Sequence, residues 1–172
     1  MIRLATLNDI DGIMKCLYDA KAFLKESGST QWNGPLGYPN KDVVLNDIKE
    51  NGGYVIEENN TILAYAAFLG HEKEYDNPSA HWQIDTNKYL TIHRIAVSNE
   101  VRGRGYGKAL IMHSFLVARK KKLDSVRVDT HPKNLIMKKM LNELGFIYCG
   151  EIIYSYIPLE PLRLIYEKII NR

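Results

Sequence analysis

Val101-Arg102-Gly103-Arg104-Gly105-Tyr106-Gly107-Lys108 is the stretch whose reading decides the fold. Before it runs an extended apolar segment, Tyr89 to Val97, and after it an apolar helical segment from about Gly105 to Lys122. Glycines at 103, 105 and 107 let the backbone take positive φ and approach a ligand closely. The first-turn amides of the following helix then point at that ligand without intrahelical partners. An anion placed there gains those hydrogen bonds and roughly 0.3–1 kcal/mol from the helix dipole. Arg102, Arg104 and Lys108 add positive charge around the turn, and together these features point to a phosphate group. Nucleotide motifs fail at named positions. A P-loop needs Gly at 102 and Ser or Thr at 109, where Arg102 and Ala109 stand; a dinucleotide fingerprint from Gly103 needs Gly where Lys108 stands. The plain alternative is a tight turn into a helix that needs glycine for its geometry alone.

Working outward, residues 2–5 read as a short strand, and Thr6 with Asp9 three positions on resembles a capping box. Ile10, Ile13, Leu17, Ala20 and Leu24 recur at helical spacing up to a stop near Gly28. Residues 28–41 are rich in Gly and Pro and form a loop. Asp42 is positioned to cap a second helix through Glu50, with Val44, Leu45 and Ile48 facing inward. Runs 54–57 and 61–69 across a short turn make a hairpin. Residues 71–88 are polar, dotted with aromatics and without period, the signature of a long functional or mobile loop. Beyond the glycine turn, the helix to Lys122 is apolar nearly all round through Ala118, which suits burial between a sheet and other helices. Residues 125–130, 146–149 and 162–170 read as strands and 134–144 as a helix ended by Gly145. The order β, α, α, β, β, β, α, β, α, β, β implies an α/β, α+β-type sandwich on a mixed sheet. The exposed last strand, 162–170, could pair two copies into a homodimer.

The 172 residues suit one domain, 1–172, able to bury about two thirds of its unfolded surface. Lys and Arg number 23 against 20 Asp and Glu, a net charge of +3 that is too mild to mark a nucleic-acid binder. No apolar run reaches the roughly 18 residues of a membrane span, and the first residues lack a signal-peptide pattern. Cys16 and Cys149 make neither a disulfide framework nor a metal spacing and read as small buried hydrophobes. A cytoplasmic protein without a metal centre is expected. The run Arg119 to Lys122 suits a helix C-terminus, where cations meet the dipole.

Arg102, Gly105 and Gly107 match the Arg/Gln-x-x-Gly-x-Gly/Ala signature of the GNAT N-acetyltransferase superfamily. The opening Ile2 to Asp9, the strand His93-Arg94-Ile95-Ala96-Val97, and Asn134 with Leu144-Gly145-Phe146 extend the resemblance in order along nearly the whole chain. It implies a mixed, mostly antiparallel sheet of about seven strands with about four helices, the fourth and fifth strands splayed around acetyl-CoA. Backbone groups of Ile95, Ala96 and Val97 would pair with the pantetheine arm. Amides from Arg102 through Gly103, Arg104, Gly105, Tyr106 and Gly107 to Lys108 would hold the pyrophosphate, and Asn134 would contact the cofactor near the thioester. The implied reaction is direct attack of a primary amine, of a small molecule or a protein, on acetyl-CoA; the alternative is a catalytically silent acyl-CoA-binding regulatory module.

The resemblance breaks at two catalytic positions. The family's tyrosine acid falls on Leu141, which leaves Tyr148 as a substitute or the thiolate to depart unaided. The family's strand glutamate falls on Thr91. His93, two residues on and hence on the same face, is the candidate general base, its alternative being a histidine hydrogen-bonded inside the sheet. His131 and Glu57 are further candidates. Trp32, Tyr38, Tyr75 and Trp82 either line an acceptor pocket or cap the edge of the core.

Overall fold

The computed structural model of the chain describes residues 1–170. Its strands are β1 (Ile2–Leu4), β2 (Gly53–Glu58), β3 (Thr61–Leu69), β4 (Tyr89–Val97), β5 (Ser125–Thr130), β6 (Ile147–Ile153) and β7 (Leu162–Ile169). The helices are α1 (Ile10–Glu26), α2 (Lys41–Lys49), α3 (Tyr106–Lys120) and α4 (Leu135–Glu143). One seven-stranded sheet runs β1-β2-β3-β4-β5-β7-β6, with β4 and β5 parallel and every other neighbour antiparallel. The expected α/β sandwich on a mixed, mostly antiparallel sheet is therefore present. Among the described residues no helix is long and apolar enough to cross a membrane.

Two apolar layers flank the sheet. On one side α3 and α4 bury Leu110, Ile111 and Leu141 against Leu90, Ile92, Val126 and Val128. On the other, α1 and α2 set Ile13, Cys16, Leu17 and Val44 on Val55, Tyr65, Ala67 and Ala96. Where the second pair of helices does not reach, Tyr75 and Trp82 cover Tyr89, Cys149, Ile152 and Ile165. That cover is tied down electrostatically. Arg127 and Glu167 face each other across β5 and β7 at 2.8 Å, Arg127 lies 4.1 Å from the Trp82 ring, and Glu167 accepts from the Gln83 N–H.

Several local expectations change. The last strand is not an edge: β7 inserts between β5 and β6, so its backbone is paired on both sides and cannot recruit a second copy. The α2 cap is Asn40, whose Oδ1 accepts from the Val43 N–H at 3.1 Å, not Asp42. That helix buries Val44 and Asp47. Helix α3 is not enclosed all round, for Met112 and Leu116 lie more than half exposed. Strand β6 runs on to Ile153, well past residue 149.

Candidate active site

The strand order places a gap in the middle of the sheet. Strands β4 and β5 are in register from Tyr89–Ser125 to Ile92–Val128 and no further, although β4 continues to Val97. Beyond Ile92, the side of β4 turned toward β5 has no strand partner among the described residues. The reason lies partly at Arg94, which has φ +58° in the left-handed region. Pairing with β3 slips there, Ala67 facing His93 and Tyr65 facing Ala96, so two residues of β4 oppose one of β3. Such a bulge bends the strand and re-aims its side chains. Leu90 and Ile92 face α3, and after the bulge it is Ile95 and Val97 that do so.

Arg94 is held in place by a buried pair. Its Nε donates to Asp47 Oδ2 at 2.9 Å, its second terminal nitrogen reaches the other carboxylate oxygen, and Tyr65 Oη donates to the same carboxylate at 2.6 Å. Asp47 is 1% exposed, so a buried charge is matched by a planar, two-point partner. The other face of the guanidinium donates to Tyr38 Oη at 2.8 Å.

A cavity of about 890 Å³ opens from this gap. Its floor is β4 from Ile92 to Val97 without Ala96, whose side chain packs toward α1. One wall is the glycine turn, through Arg102, Gly103, Gly105, Tyr106, Gly107 and Lys108; Arg104 points away. Gly103 has φ +82° and Gly105 φ +85°, and a Cβ on either would meet nothing within 4 Å. Gly105 is the N-cap of α3 and has no side chain to satisfy the first-turn amides, and that turn carries no acidic residue. Arg102 stacks on Phe23 of α1 at 4.0 Å, which fixes its charge beside the turn. Asn134 caps α4 through Oδ1 to the Met137 N–H at 3.1 Å and lines the cavity; its amide nitrogen has no partner among the described residues.

The remaining walls are aromatic and apolar. Trp32, Leu36 and Tyr38 come from the loop after α1, and Tyr154, Tyr156, Ile157 and Leu159 from the β6–β7 connection. Gln31 Oε1, in the same wall, is a buried oxygen without a partner, ready to accept an N–H or O–H from a ligand. Thus Trp32 and Tyr38 line the cavity while Tyr75 and Trp82 cap the core. Of residues 71–88 only Glu72 reaches the cavity.

Three carboxylates stand in this wall. Asp129 accepts from Tyr75 Oη at 2.8 Å and Tyr154 Oη at 2.9 Å and faces Arg163 at 3.8 Å. Glu143 pairs with Lys108 at 3.2 Å. Glu72 instead faces His93 Nε2 at 3.4 Å. Burial, aided by the Arg94 charge, lowers the His93 pKa to about 3, so the ring is neutral near pH 7. Burial likewise pushes Glu72 above its ordinary value.

His93 therefore sits where strand alternation places it, on the cavity floor. Tyr148 does not: it lies half exposed on outermost β6, edge-on to Tyr166, outside the cavity wall. Leu141 is fully buried in the core under α4, so the helix turns Met137 and Met140 to the cavity instead. Glu57 is engaged by Arg3, and His131 is buried with Nδ1 accepting from the Lys133 N–H. Sequence reasoning missed Glu72, Asp47 and the β6–β7 wall. Asp47 had a signal, since its place three residues after Val44 put it on the buried face of α2; Glu72 had none.

A mixed seven-stranded sheet parted between β4 and β5, beside a glycine turn that opens α3, is a fold shared with acetyltransferases. Residues 21–146 match the family described as Acetyltransferase (GNAT) family. A GNAT-family acetyltransferase crystal structure from Streptococcus agalactiae superposes with TM-score 0.87 at 39% identity, over 100% of this chain and 96% of that one. The ribosomal-protein-S18-alanine N-acetyltransferase of Escherichia coli shares the fold at TM-score 0.72 and 15% identity, over 100% of this chain and 94% of its own. Among curated proteins, the uncharacterized N-acetyltransferase YesJ of Bacillus subtilis is 21% identical over 147 residues, 85% of this chain and 81% of YesJ. The chain belongs to the GNAT acetyltransferase family.

Proposed function

We propose that residues 1–172 form one cytoplasmic catalytic domain that transfers the acetyl group of acetyl-CoA to the nitrogen of a primary amine. The observation that carries this reading is the unpaired length of β4 beside the bare N-terminus of α3. Backbone groups of Ile95 to Val97 would pair with the amides of the pantetheine arm, and the turn from Arg102 to Lys108 would hold the pyrophosphate. Backbone N–H groups near Val97 polarise the thioester carbonyl in an oxyanion-hole role. The Asn134 amide nitrogen is free to donate to the same arm.

Chemistry then needs a neutral amine and a tolerable leaving group. An amine of pKa ~10.4 is protonated at pH 7, and freeing its lone pair costs roughly 4.6 kcal/mol. His93 on the floor and Glu72 in the wall beside it are the groups that can take that proton. A leaving thiol of pKa ~8.5 departs as thiolate for about 2 kcal/mol at pH 7, so the buried Leu141 leaves the reaction viable without a tyrosine acid. The aromatic walls of the cavity, additional to the glycine turn, favour a transferase over a silent acyl-CoA-binding module, which needs only the turn and the β4 gap.

Calorimetric titration with acetyl-CoA, followed by CoA-thiol release with a panel of amines, tests the reading. Binding with thiol release is the expected result. Binding without release for every amine would favour the silent module, and no binding would overturn the assignment of the glycine turn.

A further inference from the structure

The acceptor side of the cavity carries chemistry specific enough to name a substrate class. Segments that contribute to its walls are tied together. Glu160, in the β6–β7 connection, accepts from the Thr30 N–H at 3.0 Å and from the Thr30 hydroxyl, in the loop after α1. The same carboxylate pairs with Lys133, just before α4. Three segments bordering the cavity are thus joined through one side chain, an arrangement that suits a small acceptor better than a polypeptide. Between them the wall is aromatic and aliphatic, chiefly Trp32, Tyr38, Tyr154, Tyr156 and Leu159.

Of the three carboxylates that line the cavity, Glu72 alone has no lysine or arginine within ion-pair distance among the described residues. Arg94 is matched by Asp47, Asp129 by two tyrosine hydroxyls and Arg163, and Glu143 by Lys108. Glu72 has only the Glu74 N–H at 3.4 Å and the neutral His93 ring beside it. The Arg94 guanidinium, paired with Asp47, acts on Glu72 only as a more distant charge; a carboxylate with no ion-pair cation of its own, in a wall of tyrosine rings, is a site for an ammonium group: the charge pairs with the carboxylate and the rings add cation–π attraction.

We propose that the acceptor is a small primary amine on an apolar, aromatic-sized body, whose ammonium is bound and deprotonated by Glu72. The inference rests on the acetyltransferase reading above. Glu72 takes one proton from the ammonium; the nitrogen lone pair then forms the C–N bond to the acetyl carbon. The C–S bond breaks with its electron pair on sulfur, and the proton lost from nitrogen goes to the thiolate. The products are the N-acetylamine and CoA thiol, and the proton on Glu72 returns to water.

The test measures thiol release by the full-length protein with acetyl-CoA and 2-phenylethylamine, spermidine, or a hexapeptide with an N-terminal alanine. Acetyl-CoA binding is followed separately by calorimetry. The expected kcat/KM for 2-phenylethylamine exceeds that for spermidine by about tenfold and that for the peptide by about a hundredfold. In Glu72→Gln, kcat/KM for 2-phenylethylamine falls by about a hundredfold, the low end for loss of a general base, while acetyl-CoA affinity stays within about twofold. A thermal midpoint matching the wild type excludes misfolding of the variant. Because Glu72→Gln also removes the ammonium partner, 2-phenylethylamine protects it less against thermal unfolding in the presence of CoA. A peptide used as well as the aryl amine, or an unimpaired Glu72→Gln, overturns the inference while the acetyltransferase reading stands. No turnover of any amine, or absence of acetyl-CoA binding, overturns the underlying reading as well.

Discussion

Gly105 combines two requirements at one residue. Its φ of +85° is a conformation that L side chains adopt at a cost of roughly 1–2 kcal/mol, and the space a Cβ would occupy is open. Gly105→Asp therefore folds, with a thermal midpoint a few degrees lower, but sets a carboxylate where the proposed pyrophosphate would be held. At an effective dielectric of about 20 two like charges 4 Å apart repel by about 4 kcal/mol. The expected result by calorimetry is a loss of acetyl-CoA affinity of a hundredfold or more, and unchanged affinity would show that this turn holds no phosphate. His93 makes a second prediction through pH. Its folded pKa of about 3 lies below the unfolded value of 6.5, so between these the unfolded chain binds the proton and the folded chain does not. Stability is thus lost as pH falls from 6.5 toward 3. By pH 5 this amounts to about 2 kcal/mol, being 1.5 pH units at ~1.36 kcal/mol each. Urea unfolding at pH 7.5 and pH 5 should show wild type losing about 2 kcal/mol more than His93→Asn. Equal losses would mean that Glu72 keeps the ring charged in the fold.

At the level of elements, α1 reaches β3 only because residue 12 lacks a side chain. A Cβ on Gly12 would lie 2.7 Å from Ile62 Cβ and 2.8 Å from its Cγ1, closer than packed carbons approach. Gly12→Ala gains about 1 kcal/mol in helix propensity but forces the helix off the sheet, an overpacking cost of about 1–3 kcal/mol. The net expectation is a destabilisation of up to about 2 kcal/mol, read as a lower urea midpoint at constant m. A more stable variant would place α1 farther from β3 than described. The same element shows what local pattern can and cannot convey. Helical spacing from Ile10 to Leu24, the run from Tyr89 to Val97 and the glycines at 103, 105 and 107 are short-range signals, and they located α1, β4 and the turn into α3. The bulge at Arg94 depends on a partner 47 residues away, Asp47, and on the Tyr65 hydroxyl. Glu72 is meaningful only once β4 brings His93 to 3.4 Å from it. The interior place of β7 is likewise a matter of tertiary pairing, since an apolar strand reads the same at an edge as between two neighbours. Pattern marks the glycine-turn end of the cavity because that end is built from consecutive residues; the aromatic end joins the loop after α1, Glu72, β4 and the β6–β7 connection.

Taken as a whole, the molecule is two sheet halves joined along a short seam. Strands β1 to β4 carry α1 and α2, strands β5 to β7 close the other half, and the halves pair only from Tyr89–Ser125 to Ile92–Val128. Below the seam the cavity separates β4 and the turn into α3 from Asn134 at the head of α4. A ligand lying along β4 with its phosphates at Gly105 and its thioester end near Asn134 spans that separation, so its binding energy acts on the folded state as a whole. Linkage sets the size of the effect: at a concentration one hundred times Kd, stability rises by about 2.7 kcal/mol. For a chain of this length each kcal/mol moves the thermal midpoint by roughly 2–4 °C. Acetyl-CoA should therefore raise the midpoint by roughly 5–11 °C, increasing with the logarithm of its concentration. Pantetheine, which contacts β4 but has no pyrophosphate for the turn, should give a clearly smaller rise at the same concentration. Equal rises for the two would place the binding energy on β4 alone and leave the glycine turn as a structural corner, whereas a rise with acetyl-CoA that Gly105→Asp abolishes would tie the phosphate end of the cavity to the stability of both halves.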